Sequence, residues 1–206
     1  MPNWCSNTLK VESDNLEKLN DFKEKVMYYK EDDTEKKWPT LTFNKLVPCP
    51  EELLNEAAFG AGENREDLVT KYGASDWYQW RVENWGTKWD AADADTIDDE
   101  PDYLTVYFDT AWAPPIPWLL RVAEMYPELR FRLEYEEPGM NFCGYYSVVD
   151  GNDIDFEEGE LEMVDPGTER LVAFNSETER WFFVDDKEVV SDDPDYWPDS
   201  VNPYIK

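Results

Sequence analysis

The chain has 206 residues, enough to bury a core. Its 41% apolar and 16% aromatic content, with ten Trp, excludes the aromatic-poor composition of disorder. Against 19 basic residues stand 48 acidic ones, a net charge of −29 that repels nucleic acid and anionic membrane and points to a positively charged partner. There is no His, and Cys5, Cys49 and Cys143 lie far apart with no Cys-x-x-Cys pair, which excludes imidazole catalysis and ordinary zinc ligand sets.

No apolar run approaches 18 residues, and the first residues lack a basic segment followed by an apolar one, so a cytoplasmic protein with neither membrane span nor signal peptide is expected. The thiols are expected reduced and buried, and no cofactor is implied.

Residues Trp4 to Glu12 read as a strand, with Cys5, Asn7, Leu9 and Val11 on one face. Leu16, Leu19, Phe22, Val26 and Tyr29 recur at helical spacing behind Asp14, a cap with Glu17 three residues on. Pro48, Pro50 and Glu51-Glu52 open a short helix. A second runs from Asn64 to Tyr72 and stops at Gly73; a third, capped by Asp76 and carrying Trp77 and Trp80, ends near Gly86. Residues 38–86 thus form a helical insertion. Thr87 to Ala91 and Tyr103 to Thr110 read as strands joined by an acidic loop, Asp93 to Asp102.

Pro114, Pro115 and Pro117 lead into a helix with Leu119, Val122, Ala123 and Tyr126 inward, stopped by Pro127. Leu129 to Glu136 alternates as a strand, and the turn Glu137-Pro138-Gly139 leads to another, Asn141 to Val149. The order predicts an α+β fold over residues 1–149: a ferredoxin-like antiparallel sheet with one added strand and the helices on one face.

Five sequence words carry a resemblance: Pro2-Asn3-Trp4-Cys5-Ser6-Asn7, Phe43-Asn44-Lys45-Leu46-Val47-Pro48-Cys49-Pro50, Trp85-Gly86-Thr87-Lys88-Trp89-Asp90, Phe108-Asp109-Thr110-Ala111-Trp112-Ala113-Pro114-Pro115 and Glu136-Glu137-Pro138-Gly139. Over about residues 1–150 the chain resembles the YubB-like ferredoxin-fold family of phage and plasmid proteins. The resemblance implies a fold and a mobile-element origin, and brings no catalytic residues.

Residues 150–206 hold 18 acidic and 4 basic residues, with strand-like stretches at Ile154 to Val164, Arg170 to Phe174 and Arg180 to Val184, and read as an acidic β-rich appendage. Its acids, Asp153, Asp155, Glu157, Glu158, Glu160 and Glu162, joined by Asp185, Asp186, Asp192, Asp193 and Asp195, are the candidate partner-binding residues. On a strand, alternate carboxylates stand roughly 6.6 Å apart, while DNA advances about 3.4 Å per phosphate, so an acidic strand can imitate a phosphate backbone. A solvated, solubilising face is the competing explanation. Calcium is a third, but Ile154 stands where a fifth-position oxygen ligand belongs. Trp77, Trp80, Trp85, Trp89 and Trp112, with Trp4, are expected to form a buried aromatic core, because few cations accompany them.

Three functions remain open. The leading one is a non-enzymatic inhibitor that mimics nucleic acid and blocks the basic surface of a host defence protein, such as a restriction or CRISPR effector, without binding nucleic acid itself. The others are an acidic interaction or assembly module and a carboxylate hydrolase.

Overall fold

The computed structural model of the chain describes residues 3–28, 40–56, 58, 65–175, 178, 180–191 and 196–204. In chain order come β1 (Trp4–Glu12), α1 (Leu16–Val26), β2 (Met27–Tyr28), β3 (Thr40–Leu41), α2 (Glu51–Leu54), α3 (Glu66–Tyr72) and α4 (Trp77–Trp85). Then follow β4 (Ala92–Asp99), β5 (Tyr103–Ala111), α5 (Ile116–Met125), β6 (Arg130–Glu137), β7 (Phe142–Val149) and β8 (Asp153–Gly159). The last strands are β9 (Glu162–Val164), β10 (Val172–Asn175), β11 (Arg180–Phe183) and β12 (Asp199–Val201).

Period-two alternation builds the central strand: Cys5, Asn7, Leu9 and Val11 are buried, while Ser6, Thr8 and Lys10 stay partly open. Leu9 lies opposite Val106 of β5 and Leu133 of β6, so three apolar side chains form one row across the sheet. The strand order is β4-β5-β1-β6-β7-β8, antiparallel throughout. Both long helices cover the same face. Leu19, Phe22 and Val26 of α1 and Trp118, Leu119, Val122 and Ala123 of α5 share one core with Leu9, Val106, Phe108, Phe131 and Leu133. The α+β, ferredoxin-like expectation therefore holds. The sheet also continues past Val149, because β8 at the start of the acidic segment pairs with β7 from Val149 opposite Asp153 to Cys143 opposite Gly159.

Several local expectations are corrected. Asn15, not Asp14, caps α1: its side chain accepts the Lys18 N–H, while the Asp14 carboxylate turns to Arg130. Leu16 consequently sits at the helix entrance, exposed. Tyr29 and Asn64 lie outside the described residues.

Residues 87–91 form no strand; their side chains tie the segment to the backbone of neighbouring elements instead. Thr87 Oγ1 donates to the Ala111 carbonyl and accepts the Ala111 N–H, and the Asp90 carboxylate accepts from the Thr42 hydroxyl and the Phe43 and Ala91 N–H groups. The strand is the acidic run itself, β4, whose Ala92, Ala94 and Thr96 turn partly inward while Asp93 and Asp95 face solvent.

In the insertion Gly73 and Gly86 end α3 and α4 in the left-handed conformation, and Asp76 caps α4 by accepting the Tyr78 and Gln79 N–H groups. Trp85 is fully buried and donates its indole N–H to the Val47 carbonyl at 2.8 Å, tying α4 to the loop before α2. Trp85→Ala is expected to lower unfolding free energy by about 3–5 kcal/mol. Trp85→Phe keeps an aromatic ring but loses part of the volume and strands that carbonyl, costing about 1–3 kcal/mol. Urea titration of both variants tests the order, and equal stability of Trp85→Phe and the parent would refute the anchoring role.

Candidate functional site

β8 is an edge strand, hydrogen-bonded to β7 along one side only. Pairing register divides its residues between two faces. Asp155 stands opposite Ser147, and with Asp153 and Glu157 it occupies the helix-free face, whereas Ile154, Phe156 and Glu158 turn to the helix side. Asp153, Glu157, Glu160 and Glu162 are exposed and form no ion pair with any described residue. Asp155 accepts a hydrogen bond from the Tyr145 hydroxyl at 3.0 Å, and Glu158 one from the Tyr135 hydroxyl at 2.6 Å. Tyr135 reaches Glu158 because Gly144 lies between them: a Cβ there would come within 2.6 Å of the tyrosine oxygen.

The remaining candidates do not join this set. Asp185 and Asp186 both pair with the Arg170 guanidinium; it holds the Asp185 carboxyl below the usual carboxylate range, and the Glu188 N–H together with Arg170 does the same for Asp186. The two aspartates share that one cation inside the tail, unlike the β8 acids. Asp192, Asp193 and Asp195 lie outside the described residues.

Sequence reasoning missed a second acidic edge. β4 closes the opposite side of the sheet with Asp93, Asp95 and Asp98 exposed; Asp99 is bound by Lys23 at 2.7 Å. The signal lay in the alternation of Ala92, Ala94 and Thr96 with acids, a polar edge-strand pattern.

Between the edges, the helix-free face carries a closed polar network. Glu134, only 4% exposed, receives Lys10 at 3.0 Å and Arg132 at 2.7 Å, and Arg132 also donates to the Ser147 hydroxyl and the Tyr204 carbonyl. Burial pushes the Glu136 carboxyl upward on the same face. A shallow groove of about 230 Å3 is lined by Lys10, Glu12, Tyr103, Leu104 and Thr105, with one carboxyl group among them. Among the described residues no cluster of three or more His, Cys, Asp or Glu is placed to hold a metal ion, and no helix is long and apolar enough to cross a membrane. All three cysteines are free and buried, and burial raises the Cys5 thiol to about 12 and the Cys143 thiol to about 11.

The expected tryptophan core divides in two. Trp80 and Trp85 are buried, together with Trp118, but Trp4, Trp89 and Trp112 are 38%, 38% and 48% exposed. Trp112 turns outward because its backbone is left-handed, φ 73, with its N–H donated to the Asn3 carbonyl.

The strand order, with both helices on one face, places the chain among ferredoxin-like α+β proteins. Residues 84–177 match the family model described as the ferredoxin-like domain in Api92-like protein, and over that stretch the chain is similar to this family. The chain is similar to the uncharacterized protein YubB of Escherichia coli (strain K12), 31% identical over 90 residues. That match covers 43% of this chain and 62% of YubB, less than two thirds of the relative. The crystal structure of protein api92 from Yersinia pseudotuberculosis superposes with a TM-score of 0.50 at 12% identity, covering 77% of this chain and 98% of that one. At that identity the likeness concerns the fold alone. The YubB-like resemblance read from the sequence is thereby borne out.

Two outcomes test this geometry. Because the Glu136 carboxyl is raised in the folded chain, charging it opposes folding once pH exceeds the unfolded glutamate value of about 4.3. Glu136→Gln should therefore raise the melting temperature at pH 7, the gain shrinking as pH falls and vanishing below that value; a gain independent of pH would contradict the assignment. At Trp112 both Gly and Ala delete the indole, but Ala keeps the left-handed strain, so Trp112→Gly should be more stable than Trp112→Ala by about 1 kcal/mol. The reverse order in thermal unfolding would remove the strain argument.

Proposed function

We propose that this protein is a non-enzymatic inhibitor, carried by a phage or plasmid, that offers a carboxylate strand in place of a phosphate backbone and occupies the basic nucleic-acid groove of a host defence protein. The observation that supports it is the geometry of β8. Asp153, Asp155 and Glu157 share one face of a hydrogen-bonded strand, and Asp153 and Glu157 have no cationic partner among the described residues. Such a row keeps its charge spacing without being ordered by the partner, which lowers the entropic cost of binding. Electrostatic complementarity would make association fast and salt-sensitive. Truncating one member of a close interfacial charge pair can cost about 2–5 kcal/mol, so a few such contacts would suffice.

One observation favours a second reading. The two most acidic strands, β4 and β8, are the two edges of the sheet, and charges on edge strands hinder edge-to-edge pairing. On that reading the acids protect an interaction module from self-association.

Replacing Asp153, Asp155, Glu157, Glu158, Glu160 and Glu162 with Asn and Gln separates the two. The inhibitor reading expects a stable monomer that no longer captures its target from host lysate at low salt, while double-stranded DNA competes with the unmodified protein for that target. A variant that self-associates yet captures the same protein normally would overturn the inhibitor reading in favour of edge protection.

A further inference from the structure

In a chain with 48 carboxylates, the Lys88 ammonium rests on indoles. It lies 4.0 Å from the ring centre of Trp89 and 4.3 Å from that of Trp112, and forms no ion pair with any described residue. The neighbouring carboxylate cannot compete, because Asp90 is occupied by the Thr42 hydroxyl and the Phe43 and Ala91 N–H groups. Trp4 packs on the Trp89 ring with centroids 5.9 Å apart and planes tilted by 43°, making Trp4, Trp89, Lys88 and Trp112 a cluster of three exposed indoles with one cation held against two of them. An independent observation marks the site. Trp112 holds a left-handed backbone that large residues avoid, and the strain turns a half-exposed indole toward solvent instead of into the core.

We infer that this stack is a cation-accepting site for an arginine side chain of a partner protein, and that Lys88 occupies it until the arginine displaces it. The stack establishes that the space between Trp89 and Trp112 accepts a positive group. A guanidinium suits it better than an ammonium: it is planar, stacks on aromatic faces and is more weakly hydrated, whereas the displaced Lys88 ammonium regains strong hydration. The net charge of −29 draws the same kind of partner. Trp4 has the alternation of Ser6, Thr8 and Lys10, on the sheet face that carries Asp155 and Glu157, so one basic partner can meet both. The inference rests on the basic partner proposed above and extends its contact to the indole end of the sheet. Exposed tryptophans and arginines are also the residues that concentrate binding energy in protein interfaces.

The test uses the whole chain and a single cation, N-acetylarginine amide, with the isosteric but neutral N-acetylcitrulline amide as control, read through the indole N–H resonances of Trp89 and Trp112. Removing the internal occupant should strengthen binding: Lys88→Gln and Lys88→Ala are expected to bind the arginine amide at least fivefold more tightly than the parent and to ignore the citrulline amide. Adding Trp112→Gly to Lys88→Gln should abolish the shifts, and neutralising the β8 acids should leave them in place. Binding that is unchanged or weaker without Lys88, equal shifts from citrulline, or loss of the shifts on β8 neutralisation would each overturn the proposal. Because the probe is one side chain, a working indole site together with normal target capture by the β8 variant would sink the phosphate-mimic reading alone.

Discussion

Phe43 lies where the inserted segment meets the sheet. Its ring touches Trp118 of α5 at 4.8 Å, Phe108 of β5 at 5.7 Å and Trp85 of α4 at 5.8 Å between centroids, all in tilted or edge-to-face geometries. Its main chain is committed as well: the N–H goes to Asp90 and the carbonyl accepts the Trp118 indole N–H. Removing the ring would therefore separate sheet, α5 and α4 at once. The same packing fixes the route of the chain out of α4. Gly86 turns with φ 85 against Pro114 and Pro117, where a Cβ would come within 2.7 Å of the Pro117 ring, and the chain then passes directly to Lys88 and Trp89. The exposed indole stack is thus held by the core beneath it.

Charge is distributed by a related logic. The nearly buried carboxylates are each answered: Glu134 by Lys10 and Arg132, Glu137 by the Gly139 and Met140 N–H groups of the β6–β7 turn. Acids without an ion pair to a described residue stand in the open, at the sheet edges, in the tail and on helix surfaces such as Glu17, Glu24 and Glu124. Water and salt weaken the self-repulsion there without removing it, while the buried carboxylates keep their own partners. On the helix-free face Lys10 and Arg132 are both bound to Glu134, which leaves that face polar.

The elements legible in the sequence are those whose side chains alone set the period. β1 and β6 alternate cleanly, α1 and α5 carry their apolar stripes, and Gly73, Asp76 and Gly86 punctuate the insertion where expected. What was not legible depends on partners distant in the chain. β4 has only Ala and Thr to turn inward, a weak apolar signal that its pairing with β5 outweighs. Asp185 and Asp186 read as free acids until Arg170, fifteen residues earlier in the chain, is brought between them. Trp112 looks like a core residue by composition; only its left-handed backbone, set by the bond to Asn3, sends it outward. The β8 acids were legible as a row because alternation is a local property, and the free edge they stand on was not.

The tail also determines how that row is presented. Asn202, nearly buried, donates to the Tyr135 carbonyl, the Tyr204 hydroxyl reaches the Glu158 carbonyl, and the Tyr204 carbonyl accepts from Arg132. β12 pairs with β9 just beyond β8. The last residues therefore strap β8 to β6 from the far side of the acidic stretch, so that β8 does not depend on β7 alone. A two-stranded edge of this acidity would tend to fray through like-charge repulsion. The strap opposes that, and any partner that reads the carboxylates meets them at fixed spacing, beside a polar network and on the sheet face whose other end carries Trp4.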